Sequence, residues 1–166
     1  MKMKVFRYST PEGFDDLLLY TDGEVLTGLL FAGSRNETNV VETRHATSLP
    51  TIICDTFRWL DIYFSGRQPD FTPAYRMEGL TPFRKAVLDI VCEIPFGQTL
   101  TYGEIAKQLK IKSAQAVGGA VGWNPICLIV PCHRVMGANG NLTGYGGGLP
   151  NKIALLKLEG SFMISS

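Results

Sequence analysis

Metal-ligating and disulfide patterns are the first things missing from this 166-residue chain. It has only two histidines, His45 and His133, far apart in sequence, and none of its four cysteines forms a CxxC pair. No ligand spacing therefore supports a zinc site. A disulfide framework is not expected in a chain of this size without secretion signals. No apolar run approaches the roughly 20 residues of a membrane span. The opening stretch MKMKVFRYST lacks the apolar segment of about 7–15 residues that a secretory signal needs. Together these absences place the protein in the cytoplasm, away from membranes. Net charge is also nearly absent, at +1. It is uneven, however: residues 1–80 carry 8 Lys/Arg against 11 Asp/Glu, and residues 81–166 carry 8 against 4. A basic second half suits a polyanionic partner, and it equally suits an ordinary solvated surface.

What is present is a sizeable apolar content, 45%, with 18 glycines and 9 prolines. That composition predicts a real core with many turns, in one domain or two small ones. LLLYTDGEVLTGLLF (17–31) predicts a β-hairpin with a tight turn at Asp22-Gly23. With KVFRYS before it, a small antiparallel sheet is expected. Residues 33–47 are polar and read as a loop, and His45 within them reads as an exposed loop histidine. SLPTIICDTFRWLDIYFSG (48–66) predicts a helix with Ile52, Ile53, Phe57, Leu60 and Phe64 on one face, ended by Gly66. Cys54 is expected to be a packed or neutral thiol there. Turn formers fill 67–79 and mark a boundary between the halves.

The second half opens on TPFRKAVLDIVCEIP, in which Thr81 caps a helix, Pro82 takes its first position and Pro95 stops it. Its apolar stripe is Phe83, Val87, Ile90, Val91 and Ile94, with Cys92 in or near the core. Thr101 and Glu104 form a capping-box pattern at the start of a short helix. Ser113 caps a second, SAQAVGGAVGWN, whose Ala116, Gly118, Gly119 and Ala120 leave little side-chain bulk. Glycine inside a helix costs up to about 1 kcal/mol relative to alanine. A helix that accepts several must approach something closely. Two readings stand: a helix-turn-helix against a partner, or tight helix–helix packing. A last helix, capped by Asn151, carries Ile153, Leu155, Leu156 and Leu158 and ends at Gly160.

The chemistry concentrates in IVPCHRVMG (129–137). A free cysteine near pKa 8.5 is only a few per cent ionised at neutral pH, so a nucleophilic Cys132 needs a base. His133 is adjacent, but neighbouring side chains on an extended strand point apart. A turn or a bridging water is therefore expected between them. A basic histidine also needs an orienting acid.

NPICLIVPCHRV, followed by GYGGGL and LLKLEG, resembles the O6-alkylguanine-DNA alkyltransferases, also called methylated-DNA–protein-cysteine methyltransferases. The resemblance is dense over 81–160 and looser before. It implies an α+β fold: a small N-terminal antiparallel sheet with a helix (1–79, support), plus a mostly helical C-terminal domain (80–166) containing a helix-turn-helix. It implies direct, irreversible transfer of an alkyl group from O6 of guanine in double-stranded DNA to Cys132. No cofactor is expected, and a monomer is. His133 matches the residue that draws the cysteine proton through water, and Glu159 the acid that orients it. Tyr102 matches the tyrosine serving guanine N3. The Gly146 N–H matches a donor to O6, Tyr145 packs on the flipped base, and Asn124 braces the turn. Arg134 is expected to make structural bonds and to lend positive potential. The target base must leave the stack, at a cost of a few kcal/mol. The small-residue helix, with Ala116 and Gly119, suits a minor-groove approach.

Two departures stand out. The family usually has arginine in ARAVGGA, filling the gap left by the base; here that position is Gln115. Cys127 stands where relatives often have proline; it reads as a small packed side chain, with reaction in its own right near the base pocket as the alternative. Three rivals remain: a non-repairing binder of alkylated DNA, a Cys–His hydrolase, and a transcription regulator. The presence of Cys132 counts against the first, the Cys-His order against the second, and the lack of an extra DNA-binding domain against the third.

Overall fold

Three short apolar runs near the start of the chain form an antiparallel sheet in the order β1-β2-β3, with β1 Lys4–Tyr8, β2 Leu17–Thr21 and β3 Leu26–Phe31. The computed structural model describes residues 3–34, 49–142 and 144–161; the polar stretch holding His45 lies outside them. Every residue of β2 is buried, as a central strand covered on both faces requires. The connection between β2 and β3 is longer than the expected two-residue turn. Residues 22–25 form it, because side chains capture the backbone. The Asp22 carboxylate accepts from the N–H groups of Glu24 (2.9 Å) and Val25 (3.1 Å). The Thr21 hydroxyl accepts from Gly23 N–H and donates to Val25 C=O. Such side-chain turns compete with a minimal hairpin, and Gly23 takes the required φ of 107°.

Two later segments cover the free edge of β3. Leu26 exchanges backbone hydrogen bonds with Ala74 and Arg76, and Leu29 exchanges them with Pro125 and Cys127. The second pair of bonds fixes the segment leading to Cys132 onto the sheet.

Helix α1 (Thr51–Phe64) buries Ile52, Ile53, Thr56, Trp59, Leu60 and Tyr63. The expected stripe is thus rotated. Phe57 and Phe64 are half-buried and pack on the Tyr8 ring, with centroids at 5.6 and 6.0 Å, while Trp59 and Tyr63 take the core side. Cys54 is exposed rather than packed. The helix ends at Ser65, and Gly66 follows at φ 93°.

Helix α2 (Pro82–Cys92) starts as expected, the Thr81 side chain accepting from Arg84 N–H at 3.2 Å. It buries Val87, Leu88 and Val91; Phe83 and Cys92 are exposed. Helices α3 (Tyr102–Gln108) and α4 (Ala114–Trp123) follow, capped by Thr101 and Ser113. A parallel ladder that the sequence does not reveal, β4 (Leu100–Thr101) with β5 (Val135–Met136), ties the start of α3 to the chain just after Cys132. Helix α5 (Leu149–Leu158) starts two residues before the expected cap. Asn151 lies inside its first turn and staples it. The amide donates to Gly147 C=O (2.7 Å) and the Asp15 carboxylate (2.9 Å), and its oxygen accepts from Asp15 N–H (3.0 Å). Gly160 ends α5 at φ 75°.

One apolar cluster runs through both halves, from Leu19, Leu29 and Leu60 to Val91, Ile105, Val117, Val130 and Leu155. Among the described residues no helix is long and apolar enough to cross a membrane.

Candidate active site

The segment from Asn124 to Arg134 folds back on itself. Asn124, 3% exposed, ties its ends: the amide donates to Ile126 C=O (3.3 Å) and Val130 C=O (3.0 Å), and the oxygen accepts from Ile126 N–H (3.0 Å). Leu128 sits at φ 68°, a left-handed conformation that strains a bulky side chain. The chain then makes a single 3-10 turn over Cys132–Arg134. The adjacency of Cys132 and His133 is therefore resolved by a turn, not by an extended strand.

His133 is fully buried, and its Nε2 lies 2.6 Å from Glu159 Oε2. Beside a carboxylate, Nε2 carries the hydrogen, which leaves Nδ1 as the basic nitrogen. Nδ1 is buried and makes no hydrogen bond among the described residues. Burial lowers the histidine's pKa from its usual 6.5, with the Glu159 contact opposing and the Arg134 and Lys152 charges assisting. Glu159 collects donors. Tyr63 Oη donates to Oε2 at 2.6 Å, Arg134 Nε to Oε1 at 2.7 Å, Arg134 Nη2 to Oε2 at 3.1 Å, and Gly97 N–H to Oε1 at 3.4 Å. Burial pulls this carboxyl's pKa upward, but the His133 and Arg134 contacts more than offset it and hold it at about 2.

Arg134 is 5% exposed, and its remaining donors go to Ile94 C=O (2.7 Å) and Gln68 (3.4 Å). The guanidinium is thus engaged by partners inside the protein.

Cys132 is 6% exposed and lines a pocket with Tyr102, Asn124, Cys127, Gly118 and the segment Gly144–Gly147. The thiol's pKa is drawn from 9.0 down to about 7. The neighbouring Cys127 thiol is the largest cause; burial opposes it, and Asn124, Tyr145 and the Lys152 charge assist. Lys152 is 1% exposed, and its Nζ donates to Val135 C=O at 2.7 Å. The enclosed space is about 40 Å³, room for a few waters and far less than a purine. The wall facing Cys132 is Tyr145, whose ring packs edge-on against Phe31 at 6.5 Å. A Cβ on Gly147 would meet both rings at 2.7 Å, so glycine is what lets this wall pack.

Beside this pocket, a shallow groove runs between α3 and α4. It is lined by Tyr102, Gln115, Gly118 and Gly119, and it shares Tyr102, Gly118 and Gly144 with the cysteine pocket. Gln115, Ala116 and Gly119 are exposed. A Cβ on Gly118 would lie 3.8 Å from Tyr102, and one on Gly119 would meet nothing within 4 Å. Internal packing therefore does not require Gly119 to be small.

Residues 82–161 match the family model described as the DNA binding domain of 6-O-methylguanine DNA methyltransferase. The methylated-DNA–protein-cysteine methyltransferase of Mycobacterium tuberculosis is 43% identical over 146 residues, 87% of this chain and 86% of the relative. The chain belongs to the methylated-DNA–protein-cysteine methyltransferase family. The member from Methanosarcina acetivorans is 54% identical over 105 residues, 63% of this chain and 67% of its own. The crystal structure of Mycobacterium tuberculosis OGT in complex with DNA superposes with a TM-score of 0.79 at 39% identity, covering 95% of this chain and 93% of that one.

Of the residues that the family resemblance points to, Cys132, Tyr102, Asn124, Tyr145 and Gly146 line one pocket. His133 and Glu159 form a bonded pair. Gln115, Ala116 and Gly119 lie on the exposed face of α4. Nothing in the sequence singles out Tyr63 or Lys152. A tyrosine on an apolar helix face and a lysine in a first helical turn both read as ordinary residues until the fold joins them to positions 70 or more and 17 residues away.

Proposed function

We propose that this protein repairs DNA by direct, single-turnover transfer of the alkyl group of O6-alkylguanine in double-stranded DNA to Cys132. The Cys132 thiol gives its proton through water to His133 Nδ1, while Glu159 accepts the Nε2–H hydrogen bond and steadies the imidazolium. The sulfur attacks the alkyl carbon; the S–C bond forms as the C–O bond breaks. The electron pair passes to the purine, and the Tyr102 hydroxyl at N3 and the Gly146 N–H at O6 stabilise the developing charge. The thioether is not hydrolysed, so each molecule acts once.

The lesion reaches the pocket by base flipping. Helices α3 and α4 act as a helix-turn-helix in the minor groove, with Ala116 and Gly119 against the DNA and Gln115 in the gap left by the base. Tyr145 swings with the Gly144–Gly148 segment and packs on the purine. Asn124 keeps the turn around Cys132 closed. Residues 1–79 form a support domain and 80–166 the DNA-binding and acceptor domain, in a cytoplasmic monomer.

The observation carrying this reading is the Cys132 thiol, tuned to half-ionise near neutral pH and backed by a buried imidazole–carboxylate pair at 2.6 Å. A non-repairing binder of alkylated DNA needs neither. The test is intact mass after mixing with an oligonucleotide carrying O6-methylguanine. Repair yields one methyl on Cys132, stoichiometric and permanent. Tight binding with no mass change would overturn the proposal in favour of the binder.

A further inference from the structure

Cys127 takes no part in the acid–base pair, yet it faces the same pocket as Cys132. Both thiols are free and buried, at 5% and 6% exposure. The backbone forces this. Cys127 N–H is fixed to Leu29 C=O (2.9 Å), Ile129 N–H bonds back to Cys127 C=O (2.8 Å), and Val130 N–H bonds to Ile126 C=O (3.1 Å). Leu128 adopts its strained left-handed φ between them. A chain that accepts this strain in a bulky residue holds what flanks it in a chosen place.

Two thiols sharing a buried site cannot both ionise, because like charges repel strongly there. One keeps its proton and can give it as a hydrogen bond. Asn124 and the Lys152 charge favour the anion on Cys132, and Cys127 is pushed well above its ordinary range by its neighbour and by burial. The Tyr145 hydroxyl lies near both sulfurs and makes no hydrogen bond of ordinary geometry among the described residues. A thiol is a weak donor in water, but toward an anion in a pocket with little solvent the bond is charge-assisted.

We infer that Cys127 is a positioning residue for the alkyl transfer, its S–H donating a hydrogen bond to the Cys132 sulfur and holding it as the anion. The proton that leaves Cys132 goes to His133; Cys127 retains its own throughout. The inference rests on Cys132 being the acceptor, and it is tested without DNA so that the two ideas can fail separately.

The full-length protein, Cys127→Ala and Cys127→Ser are treated with iodoacetamide over a range of pH, and Cys132 labelling is followed by peptide mass. Cys127→Ala should move the labelling profile to higher pH. Reaction at neutral pH then slows about tenfold for each pH unit that the profile moves. Cys127→Ser, which keeps a donor, should restore much of the rate; a purely space-filling role predicts no such rescue. Coincident profiles for Cys127→Ala and the unsubstituted protein would overturn the inference. Should Cys127→Ala fail to fold, the unsubstituted protein decides. Cys132 should label at lower pH than Cys127, and Cys127 should label more readily once Cys132 has been alkylated by the reagent. Parallel labelling of the two thiols would refute it.

Discussion

Glu159 draws its hydrogen bonds from three separate stretches: Tyr63 on α1, Gly97 after α2, and the His133–Arg134 turn. Each donor answers a buried negative charge, and removing one is measurable. Tyr63→Phe deletes only the hydroxyl, since the ring stays stacked on Trp59 at 5.4 Å. A hydrogen bond to a charged group contributes roughly 1.5–3 kcal/mol, and a loss of that size is expected in urea unfolding. Glu159→Gln leaves Arg134 buried without its counter-charge, for which about 3–5 kcal/mol is the expected cost. At this scale the sequence is informative where chemistry is local. Cys132 and His133 are legible because thiol and imidazole stand together in PCHRV. Tyr63 and Lys152 are not, because their function exists only across long chain separations. Arg134 carries no local sign of its partners either, since the fold turns it inward onto Glu159 and Ile94.

The proposed contact of α4 with DNA can be tested on the helix itself. Gly119 has open space around its missing Cβ. Gly119→Gln should therefore stabilise the helix by about 0.5–1 kcal/mol, read as a raised melting temperature, while weakening binding to duplex DNA. Tighter packing within the protein would give the opposite pair of results. Gln115→Arg adds a cation on the same exposed face. Binding to alkylated duplex should tighten, and its salt dependence should steepen by up to about 0.9 in log–log slope, measured by titration at several salt concentrations. Unchanged affinity would mean that the uncharged side chain costs nothing. Helices α2, α3 and α4 are legible in the sequence to within a residue or two, since Thr81, Thr101 and Ser113 are strong local caps. The start of α5 is not, because Asn151 looks like a cap but is engaged by Asp15, 136 residues away. The β4–β5 ladder is hidden because two-residue strands carry no periodicity.

The molecule as a whole should be acid-sensitive in two steps. His133 is held below its usual 6.5, so the unfolded chain binds its proton more readily. Stability from this group is full above about 6.5 and is lost as pH falls below that value. Glu159, held near 2 against 4.5, contributes stability that is full above 4.5 and disappears as pH drops toward 2. Urea midpoints measured across acid pH should therefore start to fall below neutrality and fall further below pH 4.5; Glu159→Gln should shrink the second step. The charge asymmetry between the halves carries no hint of this, because the groups responsible are not on the surface.

The phenol of Tyr63 also sets a limit on engineering. A transplant consisting of residues 80–166 alone would carry the sulfur, the imidazole and the acid, and would still be short of the hydroxyl that α1 supplies at 2.6 Å. Grafted onto an unrelated first half, such a module would need a replacement phenol at the same spot before its acid–imidazole couple could be as firmly seated as the native one.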